Sequence, residues 1–188
     1  MSSILTTPPA VEPVTLAEAK LHLRIGHDDD DDFISTLIVS ARRTAEAQTG
    51  LALIAQGWSC FRDGWPETGV VDLPLAPLIA IGAVTVFGED DSAAIIDPAN
   101  YYADAVSRPP RLLPRGSRLW PVPGRLGNGI EIALTAGFGV APSNVPEDLR
   151  NALKQLVAHW YENRGTGREP DLPLTVSTVI SRYREMRL

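Results

Sequence analysis

Val145 to Arg164, VPEDLRNALKQLVAHWYENR, carries the strongest helical pattern in the chain. Val145, Leu149, Ala152, Leu153, Leu156, Val157 and Trp160 recur at steps of three and four, which makes one continuous apolar stripe. Both ends are marked. Pro146 stands where a first-turn proline is tolerated, Glu147 and Asp148 complement the positive helix end, and Gly165 stands at the stop. The pattern predicts an amphipathic helix over 146–164 with a core to face. Adjacent helix positions point about 100° apart. Trp160 therefore continues the stripe and Tyr161 is free for an interface.

Working outward toward the amino terminus, Thr15 and Glu18 form a capping box that opens a short helix over 15–24, with Leu16, Ala19, Leu21 and Leu23 available for packing. A run of five aspartates, Asp28, Asp29, Asp30, Asp31 and Asp32, then precedes a second stripe of Phe33, Ile34, Leu37, Ile38, Ala41 and Ala45, which closes at Gly50. That predicts a helix over 31–49. The run lacks the turn glycine and the distal glutamate of a calcium loop, so its carboxylates read as capping and dipole complementation. Residues before Val14 carry Pro8, Pro9 and Pro13 without periodicity and read as an extended arm.

Between residues 54 and 139 the character changes to glycine and proline punctuation with β-branched runs. Strand candidates are Ile54–Arg62, Val70–Leu73, Ile79–Phe87 and Ile130–Ala136, with a turn at Gly88–Ser92. Arg108–Arg125 reads as a long proline-rich loop holding Trp120, and Trp65 lies in another proline-bearing loop. Loops of that length serve contact surfaces. After Gly165, Thr166–Pro173 reads as a linker, and Leu174–Leu188 regains weak amphipathicity through Val176, Val179, Ile180, Tyr183 and Met186. The expected class is α+β: a small bundle of about three or four helices with an inserted antiparallel β region and an extended C-terminal tail. The division is a domain over 1–165, its β insertion over about 54–139, and a linker and docking tail over 166–188.

Composition narrows the function. A domain of 188 residues buries about 70% of its unfolded-chain surface and needs no covalent staples. Cys60 is the single cysteine, which excludes an intramolecular disulfide and a multi-cysteine zinc site. No apolar run approaches the roughly 18 residues of a membrane span, and no basic residue precedes an apolar run at the amino end, so neither export nor a membrane partner is expected. The net charge of −6 repels phosphate backbones on average. The closing segment is the exception: Arg168, Arg182, Arg184 and Arg187 outnumber Glu169, Asp171 and Glu185. A basic amphipathic terminus on an acidic body docks on a partner protein or folds back on its own domain.

Signatures of catalysis are missing. GFGVAP at 137–142 fails the dinucleotide fingerprint at its last glycine, no GK[ST] follows a glycine-rich turn, and GWSCF at 57–61 lacks the second glycine of a nucleophile elbow. His159 and Glu162 have helical metal-ligand spacing once, where a di-metal bundle needs it twice. No cofactor, metal or catalytic residue is expected. Two rivals remain open: an enzyme using carboxylates such as Asp63, Glu67 and Asp72 of the β region, and a monomeric ligand- or peptide-binding module.

Three blocks resemble the head-tail connector, or adaptor, proteins of long-tailed phages and gene transfer agents. They are EPVTLAEAKLHLRI at 12–25 with the aspartate run and helix that follow, IALTAGFG at 132–139, and VPEDLRNALKQLVAHWYENRG at 145–165. The resemblance implies a structural, non-enzymatic protein that forms a ring, dodecameric in the family. Such a ring joins the portal of a DNA-filled head to stopper and tail proteins and leaves a channel through which DNA passes as cargo. It implies a bacterial cytoplasm before assembly and a particle neck afterwards. On that reading Arg42, Arg43, Arg150 and Lys154, exposed opposite the stripes, meet acidic surfaces of neighbours, with Asp28–Asp32 as counterparts, or else are solvated helix faces; Tyr161 is a further ring-interface candidate. Val179, Ile180 and Tyr183 anchor the tail on the portal with Arg182, Arg184 and Arg187 as charged rim. Trp65 and Trp120 make tail-side contacts.

Overall fold

The computed structural model describes residues 1–116, 119–164 and 172–184. Among them are four helices, α1 (Leu16–Leu23), α2 (Asp31–Thr49), α3 (Glu147–Glu162) and α4 (Leu174–Tyr183). The eight strands are β1 (Ser2–Thr7), β2 (Gln56–Arg62), β3 (Val71–Asp72), β4 (Leu78–Phe87), β5 (Ala93–Ile95), β6 (Tyr101–Asp104), β7 (Arg111–Pro114) and β8 (Ile130–Ala136). The expected α+β class, with a helical part and an inserted antiparallel β region, is therefore found. The chain divides into two compact units: Met1–Pro9 with Ala55–Gly137, and Ala10–Ile54 with Phe138–Leu188.

The helical unit is organised by the stripe of α3. Val145, Leu149, Ala152, Leu153, Leu156 and Val157 are all buried, and only Trp160, at the stripe's end, stays half-buried. Facing it, α2 buries Ile34, Ile38, Ala41 and Ala45 and ends where Gly50 takes the left-handed conformation (φ 73°). The helix thus stops where the sequence places the one residue type with no steric penalty there. Leu51, Ala52, Leu53 and Ile54 follow at once and are all buried, so the chain leaves α2 through the core. In α1 the Thr15–Glu18 capping box forms as expected, but only Ala19 is buried; Leu21 is 81% exposed. The expected packing role of Leu21 is corrected, because eight residues make little more than two turns and only one narrow face meets α2 and α3.

The basic tail folds back on its own unit. α4 packs against α3 and α2, burying Val176 and Ile180, while Thr175 donates to Gln155 (2.8 Å) and Tyr183 donates to Asp148 (2.8 Å). The expected linker lies almost wholly outside the described residues, and so does Arg187.

In the β unit, β8 is the central strand of a five-stranded antiparallel sheet of order β1-β2-β8-β4-β5. Its sequence IEIALTA alternates strictly, burying Ile130, Ile132, Leu134 and Ala136, as a strand with one buried face must. β3, β7 and β6 make a second sheet, burying Val71, Leu112 and Tyr101. Two sequence readings are corrected. The amino-terminal arm is a strand, β1, paired along β2 from Ser2↔Phe61 to Thr7↔Gly57. The proline-rich loop begins as β7, hairpinned to β6 with Asp104 opposite Arg111.

Candidate functional site

No group of three or more metal-ligating side chains converges among the described residues, and no described helix is long and apolar enough to cross a membrane.

Most of the charged residues expected at an interface have partners within the helical unit. Arg42 is 5% exposed, not exposed as expected. Its guanidinium gives two hydrogen bonds to Glu12 (2.7 and 3.2 Å) and one to Glu46 (2.7 Å). Glu46 in turn accepts from the Leu53 N–H (2.9 Å), so one buried cluster ties the strap before α1, the middle of α2 and the segment after it. The signal was legible: Ile34, Ile38, Arg42 and Glu46 are spaced by four, which puts Arg42 on the stripe and not opposite it. Arg150 donates to the Pro13 carbonyl (3.0 Å), to Glu147 (2.8 Å) and to Glu18; Lys154 lies 3.5 Å from Glu147. Of Arg42, Arg43 and Arg150, Arg43 alone is exposed.

The aspartate run is a set of clasps. Lys20 reaches Asp28 and Asp31, each at 2.6 Å, closing the α1–α2 turn. Asp30 accepts from the Tyr161 hydroxyl and from Arg164 (3.1 Å), whose guanidinium lies over the rings of Tyr161 (4.7 Å) and Phe33 (5.8 Å). Tyr161 is thereby engaged within its own chain. Asp29 and Asp32 stay exposed at the start of α2, where their charge complements the helix dipole.

In the β unit, Trp65 and Trp120 stack on each other with centroids 4.3 Å apart. Trp65 donates to the Pro121 carbonyl (2.7 Å) and Trp120 to the Gly69 carbonyl (2.7 Å). Both indole donors are satisfied inside the chain, which is the usual state of a buried tryptophan edge. Sequence reasoning missed what they hold in place, a loop presenting Leu119, Val122 and Leu126 at 94%, 89% and 98% exposure. No periodicity marks such residues; proline density was the only cue.

Several carboxylates sit below their ordinary range. The Thr15 backbone N–H, helped by Arg150, lowers Glu18; the Tyr161 hydroxyl, helped by Arg164, lowers Asp30. The Ser107 hydroxyl and Arg111 lower Asp104 furthest. A group whose folded pKa is depressed stabilises the fold above its unfolded pKa, and that contribution is lost as pH falls through the folded value. Thermal midpoints are expected to hold from pH 7 to about 5 and to fall steadily below about 4. A midpoint unchanged at pH 3 would contradict these clasps.

Among the described residues the chain thus has two compact units, exposed loops and no cluster of three or more metal-ligating side chains. The model of the phage gp6-like head-tail connector protein family matches residues 13–92, less than half of the chain. The fold match runs end to end. A chain in the neck of an empty gene transfer agent particle, computed with C6 symmetry, is 27% identical, with a TM-score of 0.87 over 100% of this chain and 97% of that one. A chain in the virion of the native particle gives the same values. One in the native neck computed with C12 symmetry gives 27% identity and a TM-score of 0.81 over 98% and 97%. No curated protein matches the chain. These comparisons bear out the resemblance read from the three sequence blocks and, with it, a structural connector role. They support neither rival.

Proposed function

We propose that this protein is the adaptor of a phage or gene-transfer-agent neck. It assembles, as a ring of twelve, between the portal of a DNA-filled head and the stopper and tail proteins, leaves a channel for DNA and carries out no chemical step. The observation that carries this reading is the end-to-end match to a neck component, at 27% identity over 100% of this chain. The −6 net charge fits a conduit, since an acidic wall repels a passing phosphate backbone and does not hold it. The chain waits in the bacterial cytoplasm and ends in the particle neck.

In this proposal the contact surfaces are assigned as follows. Arg42, Arg150, Lys154, Tyr161 and the clasped aspartates Asp28, Asp30 and Asp31 first serve the fold of the subunit. Arg43 and Asp32, with Asp29 beside His27 (3.6 Å), are the exposed charges available to a neighbouring copy. Arg182 and Arg184 remain exposed on α4 for the portal, and Leu119, Val122 and Leu126 take over the tail-side role assigned to the two tryptophans.

Mixing the purified chain with purified portal and following light scattering and electron micrographs tests the reading. The expected result is a discrete added ring on the portal. Portal particles that gain no mass at saturating chain would overturn it.

A further inference from the structure

The five-stranded sheet ends in two edge strands, β1 and β5, and neither carries a charged side chain. β1 closes one side: its sequence SSILTT has no charge and no proline, and all six of its side chains are exposed. Natural edge strands are short or bulged, or carry lysine, proline, inward charge or a cover, to stop pairing with another chain. In β1 the only such device is a register irregularity between Leu5 and Thr7, which leaves Ser2–Leu5 regular. β5 closes the other side with Ala93–Ile95, again uncharged and fully exposed. Beside it lies a groove of about 500 Å³ whose lining includes Ile95, Ile96, Pro121 and Val122.

We propose that β1 of one copy adds to the edge of β5 on the next, so that the five-stranded sheets join edge to edge around the neck ring. The inference rests on the connector reading. A ring needs two different, complementary faces on each copy, because a heterologous contact that rotates to closure is what generates a cyclic assembly. The two edges are different faces of that kind. Every neighbouring pair in the sheet is antiparallel, so β1 and β5, four steps apart, run in the same direction. A copy displaced by the small rotation of a many-membered ring therefore offers its β1 parallel to β5. Main-chain bonds supply the pairing, as in other strand-addition contacts. Ile4 and Leu5 point to opposite faces, so one of them meets the groove on the β5 side. With only three residues in β5, each contact is weak, which suits a subunit that closes its ring on a template.

The test replaces Cys60 by serine and introduces cysteine pairs, combining Ala94→Cys with Ser2→Cys, Ser3→Cys, Ile4→Cys or Leu5→Cys in turn. Each variant is assembled on portal and oxidised mildly. At least one pair is expected to give a ladder of covalent oligomers, and the single-cysteine controls none. An Ile4→Lys/Leu5→Lys double variant is expected to keep its thermal midpoint and to lose about tenfold or more in assembly, because lysine on an edge strand opposes its pairing with another chain. Rings that form without any ladder, or that form normally with both lysines, would overturn the edge contact and leave the connector reading standing. Lysine variants that form rings but fail to join tails would place another protein's strand on β1 and also overturn it. Failure of the unmodified chain to assemble on portal would remove the connector reading itself and the edge contact with it.

Discussion

Replacing Arg42 by alanine is expected to cost about 3–5 kcal/mol of folding stability, among the largest single-site effects in the chain. Burial works against the arginine's charge, but Glu12 and Glu46 together more than offset it and hold its pKa above the ordinary value. With the guanidinium gone, two carboxylates remain facing a half-closed site, their side chains 26% and 14% exposed. Removing one member of a buried ion cluster is costly because it strands the others, whatever the net worth of the intact cluster. Arg43→Ala supplies the control, since a substitution on that exposed neighbour is expected to stay within about 0.5 kcal/mol. Urea unfolding of the two variants measures the difference. Equal midpoints would show that the cluster does not organise the helical unit.

What the sequence displayed and what it hid follow one physical rule: patterns that are periodic are legible, and pairings between distant residues are not. The α3 stripe, both ends of α2 and the alternation of β8 were read to within a residue or two because each repeats its own geometry. β1 escaped because both its faces are exposed, so no alternation distinguishes it from an arm. β5, β6 and β7 are three or four residues long, too short for any period. Trp65 and Trp120 stand far apart in sequence, and nothing local announces that they stack. The head-tail connector resemblance was carried by two helical blocks and the β8 block IALTAGFG, each of them a periodic segment.

The tail yields the second large effect, and structure and expectation part there. Ile180 was expected to anchor the portal, yet it is buried with Val176 against α2 and α3. Releasing α4 would expose both side chains at about 1.5–3 kcal/mol each and break the Tyr183–Asp148 bond as well. A portal groove would have to offset that before gaining any affinity, whereas the exposed side of α4, with Arg182 and Arg184, is available without rearrangement. Docking in place is the lower-cost route. Ile180→Ala is accordingly expected to lower stability by about 2–4 kcal/mol and to leave portal attachment per folded molecule unchanged. Arg182→Glu/Arg184→Glu is expected to leave stability within about 0.5 kcal/mol and to abolish attachment. Paired urea curves and portal pull-downs at matched folded fraction separate the two. The reverse pattern, attachment lost with Ile180→Ala and kept with both glutamates, would mean that α4 leaves the body and inserts its buried face into the portal.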